Sequence, residues 1–314
     1  MTGATPTTGP SLSSWRGRVR HLEGIDPPVV VACSGGPDSL ALLALAADAG
    51  LDPVAVHVDH GLRAGSHREA AVVESAAERL GARFAAVQVT VPPGSNLEAR
   101  ARDARYAALE RARARLGATA VLVGHTADDQ AETVLLNLLR GGALAGLGGM
   151  PARRGHVVRP LLGMRRADTV ALCERLDLAR VDDPMNTDPA YRRVWLRHEV
   201  LPALERGSGR DLVPVLARQA EVLRSESDFL DELARAAWPP DDDDAPAASL
   251  AAMPTVLARR AVRCWIGPPP PAFDEVERVL AVARGDARAT ELAGGRRVRR
   301  RGGQLAIEPS VPER

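Results

Sequence analysis

An α/β fold, with a doubly wound parallel sheet and a second, smaller, mostly helical C-terminal domain, is what the 314-residue sequence predicts. Three observations carry that expectation. Short apolar runs alternate with Ala-, Leu- and Arg-rich stretches of helical length, as in parallel strands joined by helical crossovers. The strand candidates are apolar almost throughout, as strands covered on both faces are. Past Pro202 the alternation stops and amphipathic helical stretches take over.

The elements follow in order. The start, MTGATPTTGPSLSS, is polar, uncharged and proline-bearing, which resembles neither a signal peptide nor a transit peptide. Residues 1–20 are read as a disordered lead-in and the chain as cytoplasmic. Strands are expected at Val29–Cys33, Val54–Asp59, Phe84–Val91 and Ala120–Gly124, with a weaker one at His156–Leu161. Helices are expected at Leu40–Ala47, His67–Leu80 and Leu97–Leu116, and from about Ala127 onward. Residues 21–203 form the larger expected domain, and residues 204–314 a smaller, mainly helical one. In the latter, Asp211–Trp238 reads as one long helix broken by PPDDDDAP, with shorter helices at Ala248–Trp265 and Phe273–Ala283. The end, RRVRRRGGQLAIEP, is strand-like, and no internal repeat is visible.

Composition removes several classes of function. The longest apolar run, Leu40–Ala47, stops at Asp48, far short of a membrane span. Cys33, Cys173 and Cys264 stand far apart with no C-x-x-C pair, which argues against a disulfide framework, a zinc knuckle or an iron–sulfur site. Net charge is +1, so the distribution of charge says more than its sum. All 41 basic side chains other than histidine are arginines. No acidic residue occurs from Thr133 to Ala167, where Arg140, Arg153, Arg154, Arg159, Arg165 and Arg166 fall.

Chemistry is expected beyond the carboxyl ends of the strands, where ligands bind in such sheets. Ser34-Gly35-Gly36-Pro37-Asp38-Ser39 follows the first strand. Two glycines let the backbone turn its N–H groups into one concavity, and the next helix adds its N-terminal dipole, which suits phosphate. Ser34 and Ser39 bring hydroxyls, and Asp38 suits a Mg²⁺ held against phosphates. There is no lysine, so this is not a Walker-type loop. The glycines alone would equally suit a strand-to-helix turn with Ser or Asp as an N-cap; it is the full hexapeptide after a strand that favours phosphate. GHTADDQAETVLLNLL, Gly124–Leu139, places Asp128, Asp129 and Glu132 on adjoining turns, with His125 just before them. Such carboxylates suit Mg²⁺ or proton transfer, and also simply complement a helix dipole. Spacing does not decide between Asp128 and Asp129 as a metal ligand. In ARDARY, Arg102 and Arg105 are helix neighbours that suit phosphates or solvent alike. LRGGALAGLGGMPARRG, Leu139–Gly155, reads as a mobile, cationic segment for an anionic polymer. A later basic helix carries Arg192, Arg193, Arg197 and His198 beside Trp195.

Together these motifs resemble the tRNA(Ile)-lysidine synthetases, a family within the pyrophosphatase-loop ATPases, in its short form. SGGPDS at Ser34–Ser39, HVDHGLR at His57–Arg63, AR-x-x-RY at Ala101–Tyr106 and GH-x-x-DDQ-x-ET at Gly124–Thr133 carry the likeness. L-x-RG-x-x-x-x-GL-x-GM at Leu138–Met150 and RPLL at Arg159–Leu162 extend it. Met185 and Val194 depart from the family pattern where Ser and Asn are usual, while Asn186, Tyr191, Arg193 and Arg197 match it. The resemblance implies an adenine-nucleotide alpha-hydrolase-like sheet. It also implies ATP and Mg²⁺ as cofactors, with CAU-anticodon tRNA(Ile) and free L-lysine as partners. No membrane is implied, and a homodimer is left open. It implies an ATP site at Ser34, Gly35, Gly36, Pro37, Asp38, Ser39, His57, Asp59 and Gly124. Catalytic roles fall to Asp38, Arg105, His125, Asp129 and Glu132, metal binding to Asp38 and Asp129, and tRNA contacts to Arg140, Arg153, Arg154, Arg193 and Arg197. The implied reaction adenylates the wobble cytidine and then joins lysine to its C2. The alternatives are a tRNA base thiolase of the same superfamily, usually served by paired cysteines, and a nucleotide-binding module without turnover.

Overall fold

The computed structural model describes residues 12, 15, 17–59, 61, 66–91, 94, 97–181, 192–238 and 245–309. The chain divides into two compact units, Met1–Val222 and Leu223–Arg314. The division falls later than the expected boundary, because the helical segment after Pro202 packs with the first unit.

In the first unit, strands β1 (Val29–Ala32), β2 (Pro53–Asp59), β3 (Arg83–Gln88) and β4 (Ala120–Val123) alternate with helices α1 (Pro37–Asp48), α2 (Ser66–Arg79) and α3 (Leu97–Arg115). After α4 (Ala127–Leu139) come the short α5 (Leu144–Leu147), β5 (Arg153–Arg154), β6 (Val157–Val158) and α6 (Arg166–Arg175). The sheet order is β3-β2-β1-β4-β6-β5, parallel except for the β5–β6 pair. The strand expected at His156–Leu161 is thus only the two residues Val157 and Val158.

Period-two alternation in β1 explains both layers. Val29 and Val31 join a core with α1, α2 and α6, while Val30 joins a second core with Leu109 and Ala112 of α3. Helix α1 is buried from Ser39 to Ala46, so its all-round apolar sequence is a buried-helix sequence. Few aromatics are needed because Ala, Val and Leu fill both layers. The order of connections reverses between β1 and β4, and the segments leaving those two strands lie side by side.

The lead-in is not featureless where it is described. Leu12 is buried and Trp15 packs on the same core, while Arg18 pairs with Asp168 at 2.7 Å. The Arg20 N–H donates to the Pro160 carbonyl at 3.1 Å. Disorder is therefore not what Leu12, Trp15, Arg18 and Arg20 show. The apolar Leu12 and Trp15 find a core that a polar-looking stretch concealed.

Past α6, helix α7 (Arg192–Trp195) runs through a π-helical turn (Leu196–Val200) into α8 (Leu201–Ser208). Helix α9 (Val213–Ala237) spans the division between the units. The second unit adds α10 (Ala247–Ala252), α11 (Thr255–Ile266) and α12 (Phe273–Arg284). The single helix expected at Ala248–Trp265 is two, because Pro254 cannot continue the ladder. An antiparallel sheet β7 (Ala289–Leu292), β8 (Arg296–Arg301), β9 (Gln304–Pro309) closes the unit. Its core holds Trp238 edge-on to Trp265 at 5.5 Å, with the Trp238 indole N–H donating to the Pro246 carbonyl at 3.1 Å. The basic block RRVRRR is β8: Val298 is buried, while Arg296 and Arg300 donate to the Ile266 and Ala283 carbonyls, at or near the ends of α11 and α12.

Candidate active site

Loop 34–39 begins where β1 ends. Gly35 has φ +83°, and a Cβ there would stand 2.6 Å from Val181 Cγ2, so this position requires glycine on both counts. Pro37 opens α1 at a position that needs no N–H. The Ser39 hydroxyl, buried, donates to the Gly36 carbonyl at 2.9 Å and lies 3.2 Å from the Ser34 N–H, so it staples the loop to itself. Gly124, leaving β4, comes so close that a Cβ would lie 2.8 Å from the Asp38 carbonyl oxygen and 3.1 Å from the Ser39 nitrogen. Its glycine is thus a packing requirement between loop and strand.

Helix α4 begins with a capping box. Thr126 N–H and hydroxyl donate to Asp129 Oδ2 at 2.8 and 3.0 Å. That leaves Asp129 Oδ1 pointing to Arg166, 2.7 Å away. Asp38 repeats the pattern: Oδ1 accepts from the Thr169 hydroxyl, and Oδ2 lies 3.4 Å from Arg166 Nε. Glu132 is buried under three guanidinium groups, Arg197 at 2.8 Å with Arg166 and Arg193 each at 3.5 Å. Asp128 faces elsewhere. It takes Arg165 at 3.2 Å and the Arg166 backbone N–H at 2.8 Å, latching α4 to α6. Asp129 rather than Asp128 therefore shares a cation with Asp38.

Burial raises the Asp38 carboxyl above the usual range, and the Thr169 hydroxyl and Arg166 only partly oppose it. Burial works on Asp129 in the same sense, but Arg166 and the Thr126 donors outweigh it and hold Asp129 below the usual range. His125 is pulled down to about 3, first by burial and then by Arg159, Arg102 and Arg105, against the attraction of Asp129. It is a neutral imidazole at physiological pH. Its Nδ1 accepts from Arg159 Nε at 3.2 Å, so the ring hydrogen sits on Nε2. Arg159 is anchored in turn on the Pro151 carbonyl at 2.8 Å. Arg102 and Arg105 lie over the Tyr106 ring at 5.1 and 6.0 Å, forming the cationic side of the site.

His57 is buried, its Nδ1 donating to the Cys33 carbonyl at 3.0 Å, while Nε2 has no partner among the described residues. Asp59, at the end of β2, accepts from the Gly61 N–H at 2.8 Å. Cys33 and Cys173 are buried beside the loop, and burial raises both thiols, Cys173 to about 11. Neither is a thiolate at neutral pH.

The structure redistributes the expected arginines. Arg193 and Arg197, expected on a tRNA face, turn inward to Glu132. Arg140, Arg153 and Arg154 are exposed. Arg166, Thr169, Thr126 and Arg159 were not singled out as site residues by sequence. Arg159 and Arg166 showed only as members of the acid-free arginine stretch, and Thr126 and Thr169 only by position, after GH and after RPLL. The glycine-rich stretch expected to be mobile is held by side-chain amides. Gln130 exchanges bonds with Met150 at 3.0 and 2.7 Å, and Asn137 donates to the Gly146 carbonyl at 2.7 Å. Met185, Asn186 and Tyr191, and His60 to Arg63 apart from Gly61, lie outside the described residues.

Residues 21–204 match the PP-loop domain family. The tRNA(Ile)-lysidine synthase of Salinispora arenicola is 44% identical over 91% of this chain and 92% of its own length. That of Streptomyces coelicolor is 45% identical over 90% and 85%. The chain belongs to the tRNA(Ile)-lysidine synthase family. Among solved structures, the U34-tRNA thiolase NcsA from Methanococcus maripaludis, with its [4Fe-4S] cluster, covers 68% of this chain and 80% of its own. At 20% identity and a TM-score of 0.56, that likeness shows the shared fold alone. Membership of the family makes the chain a ligase with an ATP-binding PP-loop domain. Among the described residues no helix is long and apolar enough to cross a membrane.

Proposed function

We propose that this chain joins free L-lysine to C2 of the wobble cytidine in CAU-anticodon tRNA(Ile), converting ATP to AMP and pyrophosphate. The observation that carries it is the convergence of loop 34–39, the Asp38–Asp129–Glu132 group and neutral His125 at the β1/β4 switch point, in a chain of this family. In the first step the cytidine O2 bonds to the α-phosphorus of ATP and the bond to pyrophosphate breaks. In the second, the lysine amine bonds to C2 and loses a proton, and the C2–O bond to AMP breaks. Loop amides and the α1 dipole hold the β- and γ-phosphates that become the leaving group. The His125 Nε2–H donates to a phosphoryl oxygen without adding charge. Arg102 and Arg105 face the anionic substrates, and His57 Nε2 is a buried acceptor for a donor on the nucleotide.

Asp38 and Asp129 would hold Mg²⁺. Two hard oxygen donors already converge on one cationic group, Arg166, which fits that assignment. When bound, the metal neutralises charge on the departing pyrophosphate. A tRNA-modifying reaction of this kind is cytoplasmic, and a homodimer is compatible with it. ATP should yield AMP only when both tRNA(Ile) and lysine are supplied; equal turnover without lysine would overturn the assignment. Radiolabelled lysine should enter tRNA(Ile), and Asp38→Ala or Asp129→Ala should abolish AMP formation.

A further inference from the structure

Arg166 lies in an acid-free, arginine-rich stretch, and composition alone would place it on an RNA-facing surface. It stands instead at the first position of α6, with its guanidinium 3.4 Å from Asp38 Oδ2, 2.7 Å from Asp129 Oδ1 and 3.5 Å from Glu132 Oε1. The remaining carboxylate oxygens of the pair are taken. Thr169 holds Asp38 Oδ1, and Thr126 holds Asp129 Oδ2. The two inward-facing oxygens are therefore those Arg166 covers. Charge is balanced as well: Asp38, Asp129 and Glu132 face Arg166, Arg193 and Arg197, three negative groups against three positive ones.

A divalent cation needs those same two oxygens at close range, about 2.0–2.1 Å for Mg²⁺, which leaves no room for a guanidinium bonded to both. It would also leave a balanced, partly buried site with two surplus positive charges. Both costs disappear if the ion arrives with the anionic triphosphate, because the phosphates supply negative charge and accept the displaced guanidinium bidentately.

We propose that Arg166 is a resident counter-cation that keeps the Asp38–Asp129 pair closed to divalent metal until nucleotide phosphates draw its guanidinium away. Arg166 thereby acts as a positioning residue and makes metal uptake depend on nucleotide. The inference rests on the assignment of Asp38 and Asp129 to metal above.

The test is Mn²⁺ binding to the full chain, with and without ATP, measured as the excess Mn²⁺ held on the protein side in equilibrium dialysis against the same ATP concentration. Wild type should take up Mn²⁺ only with ATP. Arg166→Gln should bind Mn²⁺ alone at least tenfold more tightly than wild type, whereas Arg166→Lys, which keeps a cation there, should stay close to wild type. A structural role for Arg166 would weaken metal binding rather than strengthen it. Arg166→Met, which keeps the apolar stem, serves if Arg166→Gln does not fold. Equal Mn²⁺ affinity of the neutral variants and wild type without ATP would overturn the proposal, while ATP-dependent uptake by wild type left the metal assignment standing. No uptake by wild type even with ATP would overturn both.

Discussion

His125 is neutral because burial and three arginines act on it together, against the pull of Asp129. In the unfolded chain it would titrate at the ordinary value near 6.5. Its folded value is depressed, so the unfolded state binds the extra proton as pH falls below about 6.5, and stability is lost from there down toward about 3. The slope is about 1.4 kcal/mol per pH unit for one such group. His125→Gln, which keeps a neutral donor, should remove that slope. Urea denaturation between about pH 6.5 and pH 4.5 should show wild type losing about 2–3 kcal/mol more than the variant. Asp38 and Asp129 illustrate the same rule in opposite directions. Both are partly buried, but Asp129 has a capping threonine and a closer Arg166, and the two carboxyls part company.

At the level of elements, α4 is the piece on which the site is organised, and its first turn does two jobs. The Thr126 cap satisfies the helix end and also turns Asp129 Oδ1 toward Arg166. Thr126→Ala should cost about 1 kcal/mol of stability in denaturant titration, with Thr126→Ser close to neutral. The junction of β4 with loop 34–39 is backbone against backbone. Gly124→Ala would force Asp38 and Ser39 away from the strand, because neither opposing atom belongs to a flexible side chain. A loss of about 1–3 kcal/mol is expected, together with at least tenfold weaker ATP binding by calorimetry. Further along α4, Gln130 and Asn137 convert a glycine-rich stretch into a fixed turn.

Across the whole molecule, the arginines sort by what they meet: helix ends, the carboxylates of the candidate site, or solvent. Arg296 and Arg300 donate to helix carbonyls, Arg193 and Arg197 hold Glu132, and Arg140, Arg153 and Arg154 remain on the surface. The prediction for tRNA therefore narrows to the exposed three. Arg153→Glu should weaken tRNA(Ile) binding by about tenfold and lower the salt slope by about one, leaving ATP affinity unchanged. A filter-binding salt series measures both.

The parallel sheet was legible because apolar strands and helical spacers repeat along the chain, each recognisable within a few residues. The phosphate loop was legible because its glycines and Asp38 are contiguous. Less visible were the docking of Leu12 and Trp15, the break at Pro254 and the inward turn of Arg193. The first two compete with local composition, and the last depends on Glu132, 61 residues away.

By itself, then, the sequence determined the sheet, the loop and the family likeness, since each is written in short stretches whose physics is local. Only the tertiary structure decided which charge meets which. Arg166 and Asp38 are 128 residues apart, and no spacing rule connects them. The fold brings α6 against the start of α1 and α4, and burial there makes unpaired carboxylates costly, so the nearest arginine is drawn in.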